Sequence, residues 1–437
     1  MSNSIFPQEP NLLEFGIDLK STKLSKPRWK GSHYRAIVNW LIYYKPTNSQ
    51  SDLERVKGYI EALYHLATVQ SYKPIDLILN KVIEVSVEND ISLPLFDYLM
   101  YIGSSQLLLD VVQEIIEKFN YSEFTQVDFL AFLRTRAISG VGNLTEACKL
   151  CNELYERLSP EDEIYVEVLI SLGGYQIQSG KYSEGVENLL RALSIVKKLI
   201  EEEQQTDKNL KLLRIETDIY ESLAFYYMNR SRFKDALAIY SKVSEMRKES
   251  GDYYKLISPL VHRGIILRRM KFYDEAISCL MEAQSRARVF QDQNGIIWSA
   301  HHLGWVFLNC QKLALAEFQC KEALEGYKLR GDQRGISDSY EQMALIYLAK
   351  DKIFEAEKNI QLAISIRRNI GNQHGIASCT MSLALIAWHK RHYLEFFKYL
   401  ALGFQGYYRI GVLNRVRFFR LLNLSYVWTL GKRNWTM

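Results

Sequence analysis

The stretch HHLGWVFLNCQKLALAEFQCKEALEGYKLRGDQRG, residues 301–335, decides the fold. Small residues stand at Gly304, Ala316 and Ala323, with Phe307 between the first two and Cys320 four positions past the second. Apolar positions spaced i, i+3, i+4 and i+7 describe helices, and two antiparallel helices approach closely only where a side chain is no larger than about a methyl group. Gly331 suits a left-handed helix C-cap and Asp332 suits the turn after it.

The same arrangement returns every 40 residues, which makes an internal repeat the dominant feature of the chain. The first small position reads Ala224, Gly264, Gly304, Ala344 and Ala384. The second reads Ala236, Ala276, Ala316 and Ala356, then Phe396, and the third Val243, Ala283, Ala323, Ala363 and Gly403. Bulky residues fill the intervals at Tyr227, Leu267, Phe307 and Tyr347 and at Tyr240, Leu280, Cys320, Ile360 and Leu400. Gly251-Asp252, Gly331-Asp332, Gly371-Asn372 and Gly411 keep the same clock, and Gln291-Asp292 takes that place in one irregular unit.

The pattern resembles the tetratricopeptide repeat (TPR) in its long, 40-residue form, whose Gly-Asp-x-x-Gly linker is matched by GDQRG at 331–335. Similar repeats occur in mitotic-spindle scaffolds, peptide-sensing bacterial regulators and the arms of signalling ATPases. The resemblance implies an all-α fold, a TPR-like α-solenoid in which antiparallel helix pairs stack into a right-handed superhelix. Five regular units occupy 211–411. Residues 34–210 read as degenerate TPR-like repeats, with ISLGGYQIQSGKYSEGVENLLRALSIV (170–196) the best preserved. Here 51 residues rather than 40 separate Gly173 from Ala224, and an insertion near 198–210 either lengthens a helix or adds a charged loop. Further upstream, residues 143–154, 104–116 and 71–83 resemble second helices of such pairs. The block 34–83 also looks like the start of TPR arms on cyanobacterial STAND-class signalling ATPases, although the chain carries no G-x-x-x-x-G-K-[ST] loop. Residues 1–33 are expected to be an extended basic tail, and 412–437 a capping helix and tail.

Composition agrees with an ordered stack of helices. At 437 residues the chain exceeds the usual size of a single core, about 250–300 residues. With 48% hydrophobic residues and only eight prolines, disordered and collagen-like classes are excluded. Six scattered cysteines, and an N-terminus without a secretory layout, point to a reducing, cytoplasmic setting. No apolar run approaches the roughly 18–20 residues that cross a bilayer. The net charge of +5 belongs to the ends: residues 1–45 carry seven Lys/Arg against three acids, and 406–437 six against none. That split does not form the basic stripe of a nucleic-acid footprint, so a nucleic-acid partner is not expected.

Candidate chemistry is sparse. Cys148 and Cys151 share a helix face and read as small packing groups rather than a zinc site. Adjacent His301 and His302 project about 100° apart on a helix and do not readily share a metal, and His389 and His392 straddle a turn. Nucleophile-elbow, zincin and dinucleotide signatures are missing from the chain. The reading is therefore non-catalytic, with no cofactor and no metal.

Recognition is what remains, and the TPR resemblance places it on the first helix of each pair, along a concave groove. Carried onto this chain, the groove positions include Asn229, Arg268 and Arg269, then Trp298, His301, Trp305 and Asn309. Glu341, Trp388 and His389 follow in the later units. Trp and Arg are typical anchors of binding surfaces. The places where chaperone-type repeats grip a terminal carboxylate hold Val261, Ile265, His301 and Trp305, so that clamp is not expected. A peptide or protein partner follows. The alternatives are the recognition arm of a split STAND-type system and a regulator that contacts nucleic acid through its basic ends. As a groove residue, Glu341 is expected to tolerate truncation to Ala with little change in stability.

Overall fold

The protein, seen here as a computed structural model, is described over residues 12–15, 17, 27–46, 52–86, 91–119, 127–162, 164–203 and 206–409. It divides into two compact units, residues 1–230 and 231–437.

The first unit opens with a 3-10 turn, Leu12–Phe15, whose Phe15 packs edge-on against Tyr59 at 6.2 Å. Helix α1 (Arg28–Val38) starts inside the segment expected to be an extended tail, and it runs into a short π turn at Asn39–Tyr43. Helices α2 (Asp52–Val69) and α3 (Tyr72–Leu79) follow. The expectation of one helix through 71–83 is corrected: α3 stops at Leu79, and β1 (Val82–Ser86) pairs antiparallel with β2 (Ile91–Pro94), Ile83 facing Leu93. The β-branched run Val82, Ile83, Val85 explains the switch, because such side chains favour the extended backbone.

Beyond the hairpin come α4 (Leu95–Tyr101), α5 (Ser105–Lys118), α6 (Val127–Gly140) and α7 (Leu144–Arg157). The unit closes with α8 (Tyr165–Gln178), α9 (Tyr182–Glu202) and α10 (Thr206–Asn229). The insertion near 198–210 is thus taken up by helix, on both sides of a short connection. Where α8 crosses α9 the backbones nearly touch: a Cβ on Gly173 would lie 2.8 Å from the carbonyl oxygen of Gly185, and one on Gly185 2.7 Å from that of Gly173. No side chain fits there.

The second unit is the regular one. Its helices are α11 (Phe233–Glu249), α12 (Ile257–Arg269), α13 (Tyr273–Val289), α14 (Gln293–Asn309) and α15 (Leu313–Leu329), then α16 (Gln333–Ala349), α17 (Ile353–Asn369), α18 (Gln373–His389) and α19 (Tyr393–Arg409). Every one of them except α12 spans 17 residues, and a 3-10 turn at Tyr253–Leu256 precedes α12. Ala236, Ala276, Ala316 and Ala356 have no exposed surface, and each lies where its helix meets its partner. Gly264 gives the same closeness to its partner α13, since a Cβ there would collide with Leu280, whereas a Cβ on Gly304 would meet the Gln342 side chain of α16, the next first helix. Gly251, Gly331 and Gly371 all take positive φ after a second helix, and Asp332 and Asn372 cap the next helix by accepting from the amides of Gly335 and Gly375.

The capping helix expected in 412–437, with Arg415, Arg417 and Arg420, lies outside the described residues, as do Lys20, Lys23 and Lys26. Because Ala316 is enclosed at a helix crossing, Ala316→Leu is expected to cost about 1–3 kcal/mol through overpacking. Urea unfolding measures it, and an unchanged midpoint would contradict the assigned repeat phase.

Candidate functional site

In the second unit the two helices of a pair play different parts. Successive first helices pack directly on one another, α12 on α14, α14 on α16 and α16 on α18. They therefore bury residues on several faces, as α16 does with Ser337, Ser339, Glu341, Gln342, Leu345 and Leu348. Second helices bury a single stripe, as α17 does with Ala356, Ile360, Ala363, Ile364 and Arg367. Large apolar groups stand in solvent on these outer helices, among them Phe318 (62% exposed) and Leu394 (90%). First helices form the inner layer.

On that layer the structure brings together five of the expected residues. Arg268 of α12 lies over the Trp305 ring of α14 at 5.9 Å. The Trp305 indole N–H donates to His301 Nε2 at 3.2 Å, which places the His301 proton on Nδ1. Trp298 stands edge-on to His302 at 6.0 Å and to His262 at 4.9 Å, and His262 in turn stacks flat on Tyr240. Arg269 closes α12 and is exposed. A continuous run of aromatic and imidazole rings thus joins α11, α12 and α14. Sequence reading missed His262, His302 and Tyr327, which lies 6.1 Å from His301. The signal available was the first-helix position of the two histidines, which their lack of a motif hid.

Burial sets the charge state of this run. It pushes His301 and His262 down to about 4 and holds His302 well below its ordinary value, so all three imidazoles are neutral at pH 7. Burial, helped by neighbouring Arg269, also brings Arg268 down to about 10. Nδ1 of both His301 and His302 and Nε of Arg268 are buried without a hydrogen-bond partner among the described residues. Unpaired buried donors are costly.

The other expected residues lie elsewhere. Asn309 is half-buried as the last residue of α14. Trp388 packs edge-on against Tyr393 and Phe396, both at 5.2 Å, while His389 ends α18 in solvent. Asn229 ends α10 in the other unit and is half-buried.

Glu341 requires a correction. It is 8% exposed and holds Arg367, itself 3% exposed, through a 2.8 Å ion pair, while accepting from the hydroxyls of Ser378 and Ser382. Arg367 also reaches Asp338 at 2.5 Å and the Gly375 carbonyl at 2.8 Å. The network bolts α17 to α16 and α18, so Glu341 is an internal tie and its truncation is not neutral. Cys151, buried against the Val168 carbonyl, has its thiol pushed up to about 12 by burial, in keeping with a packing role.

Two outcomes follow. Glu341→Ala is expected to cost about 3 kcal/mol by leaving Arg367 under-compensated, and a melt within error of the wild type would contradict the network. Histidines near 6.5 in the unfolded chain and near 4 when folded stabilise the protein fully above 6.5, and that contribution is lost as pH falls toward 4. Unfolding free energy should therefore drop between pH 7 and pH 4.5, with His301→Gln flattening the slope; equal slopes would contradict it.

No family profile matches the chain, and no curated protein sequence matches it. Solved structures do. A signal transduction ATPase with numerous domains (STAND) that carries a tetratricopeptide repeat sensor, from Pyrococcus horikoshii, superposes with TM-score 0.54 and 16% identity. That match covers 89% of this chain and 54% of the other, so this chain spans about half the length of that protein. A Rap protein complexed with competence and sporulation factor gives 0.57 at 14% identity, covering 82% of this chain and 99% of the other. The Rap conjugation gene regulator of the plasmid pLS20, in complex with the Phr* peptide, gives 0.55 at 12%, covering 87% and 96%. By fold, the chain is a tetratricopeptide-type helical repeat protein. Among the described residues, no helix is long and apolar enough to cross a membrane.

Proposed function

We propose that the protein is a non-catalytic peptide- or protein-binding sensor or scaffold that holds its partner against the first-helix layer of the second unit. The observation that carries this reading is the run His262, Trp298, His302, Trp305 and Arg268, which collects rings and unpaired polar atoms on the first-helix layer. Unpaired buried polar atoms are costly, and a bound partner would offset that cost. Two of the superposed structures are Rap proteins, one complexed with competence and sporulation factor and one with the Phr* peptide, which supports a peptide as ligand. Arg269, Asn309, Trp388, His389 and Glu341 belong to the proposed groove as flanking positions, Glu341 by holding α16 in place, whereas Asn229 lies in the first unit. Six free cysteines accord with a cytoplasmic setting.

A second reading, the recognition arm of a split STAND-type system, is favoured by the match to the STAND repeat sensor over most of this chain. An ATPase copurifying with the protein would support it. The main test is selection from a displayed library of random peptides. Enriched peptides should bind the wild type and lose at least ten-fold affinity to the double variant Trp298→Ala/Arg269→Ala, with its melting temperature retained. Enriched peptides that bind both proteins equally would overturn the inner-layer reading.

A further inference from the structure

Arg268 is out of balance with its surroundings. It lies half-buried on the inner layer, its Nε has no hydrogen-bond partner, and its one contact of note among the described residues is the face of Trp305. The groups whose charges act on it are Arg269 and Tyr273, neither of them an anion at neutral pH. Its neighbour His302 is in the same position: the charges it feels come from His301, His262, Arg268 and Arg269. His301 faces Asp338 and Asp332 as well as Arg268 and the Tyr327 ring. Asp338, however, is held by Arg367 at 2.5 Å, and Asp332 caps α16 on the amide of Gly335. Both acids near the cluster are therefore already committed to structure.

A partly desolvated guanidinium without a counter-charge beside it is costly, and an anion from a ligand would offset that cost. Arg presents a planar fork that matches carboxylate and phosphate oxygens, and this one lies over the Trp305 ring at 5.9 Å. The unpartnered Nδ1 of His301, a side chain 9% exposed, and of His302 offer further donors beside it. We propose that Arg268, flanked by His301 and His302 on the inner layer where α12 meets α14, forms an oxyanion site that takes a carboxylate or phosphate group of the bound ligand. The proposal rests on the groove reading above and names the chemistry the groove selects. It differs from a chaperone-type clamp in residue type and position, for the anchor is Arg268 rather than the places occupied by Val261 and Ile265. An anion arriving here also offsets the positive charge of Arg268 and Arg269 around the imidazoles, so their protonation becomes coupled to binding as pH falls toward their lowered values.

The experiment is isothermal titration of the full chain at pH 8 and pH 5.5 with three probes. These are inorganic phosphate, a degenerate peptide pool free of Asp and Glu with a free C-terminal carboxylate, and the same pool amidated. Each is repeated with Arg268→Gln and Arg268→Lys, whose folding is checked by circular dichroism. The site predicts that the carboxylate pool or phosphate binds at least ten-fold tighter to the wild type than to Arg268→Gln, with Arg268→Lys intermediate at both pH values. A gain confined to the carboxylate pool identifies a peptide carboxylate as the source, and one confined to phosphate identifies a phosphate group. If the free-acid and amidated pools bind alike and phosphate binding ignores Arg268→Gln, the anion site is overturned while the groove reading stands. If neither pool binds but phosphate binding still depends on Arg268, the groove reading fails and the anion site is supported. If no probe binds the wild type, both are overturned.

Discussion

The closeness with which paired helices meet is the constraint on which the rest depends. Gly173 and Gly185 leave their backbones nearly in contact, and Ala236, Ala276, Ala316 and Ala356 are fully buried at fixed intervals in the second unit. Packing at this distance turns two amphipathic helices into one rigid hairpin whose remaining apolar surface is satisfied only by the next hairpin. In the second unit, stacking of such hairpins encloses the first helices on several sides and leaves the second helices half in solvent. The inner layer is therefore where a side chain is both held rigidly and shielded from bulk water. Rings and polar groups placed there meet the conditions under which a few residues dominate recognition.

Much of this organisation was legible in the sequence, because small residues and terminal glycines are local signals that repeat. The left-handed turns within each pair were not. Ser231, Lys271, Gln311, Asp351 and Arg391 all take positive φ at 40-residue intervals, yet share no residue type. The tight helix pairing dictates that conformation, and the chain accepts strain that glycine would have avoided. The hairpin at 82–94 escaped for a related reason, since a short β-branched run after a helical segment continues the helical period for one more turn.

The site was legible only in part. Spacing located Arg268, Trp298, His301 and Trp305 on first helices, but could not tell which would touch. Their meeting depends on how far α12 and α14 are offset along their axes, which local sequence does not encode. Glu341 shows the opposite failure. A carboxylate on a first helix looks solvated until the arginine of the following second helix is seen to reach under it, so that Arg367 and Glu341 form an internal tie. Arg367 is surrounded by Asp338, Glu341 and a serine hydroxyl, whereas Arg268 lies over a ring with no anion beside it among the described residues, and the proposed oxyanion site rests on that contrast.

Photo-crosslinking distinguishes the two faces of the second unit most directly. A benzophenone side chain introduced at Trp298 on the inner layer, or at Phe318 on the outer helices, reports which face a library-selected peptide occupies. Inner recognition predicts crosslinked peptide from position 298 and none above background from position 318. Crosslinks from 318 with none from 298 would contradict it, and would move the binding surface to the exposed apolar groups of the second helices.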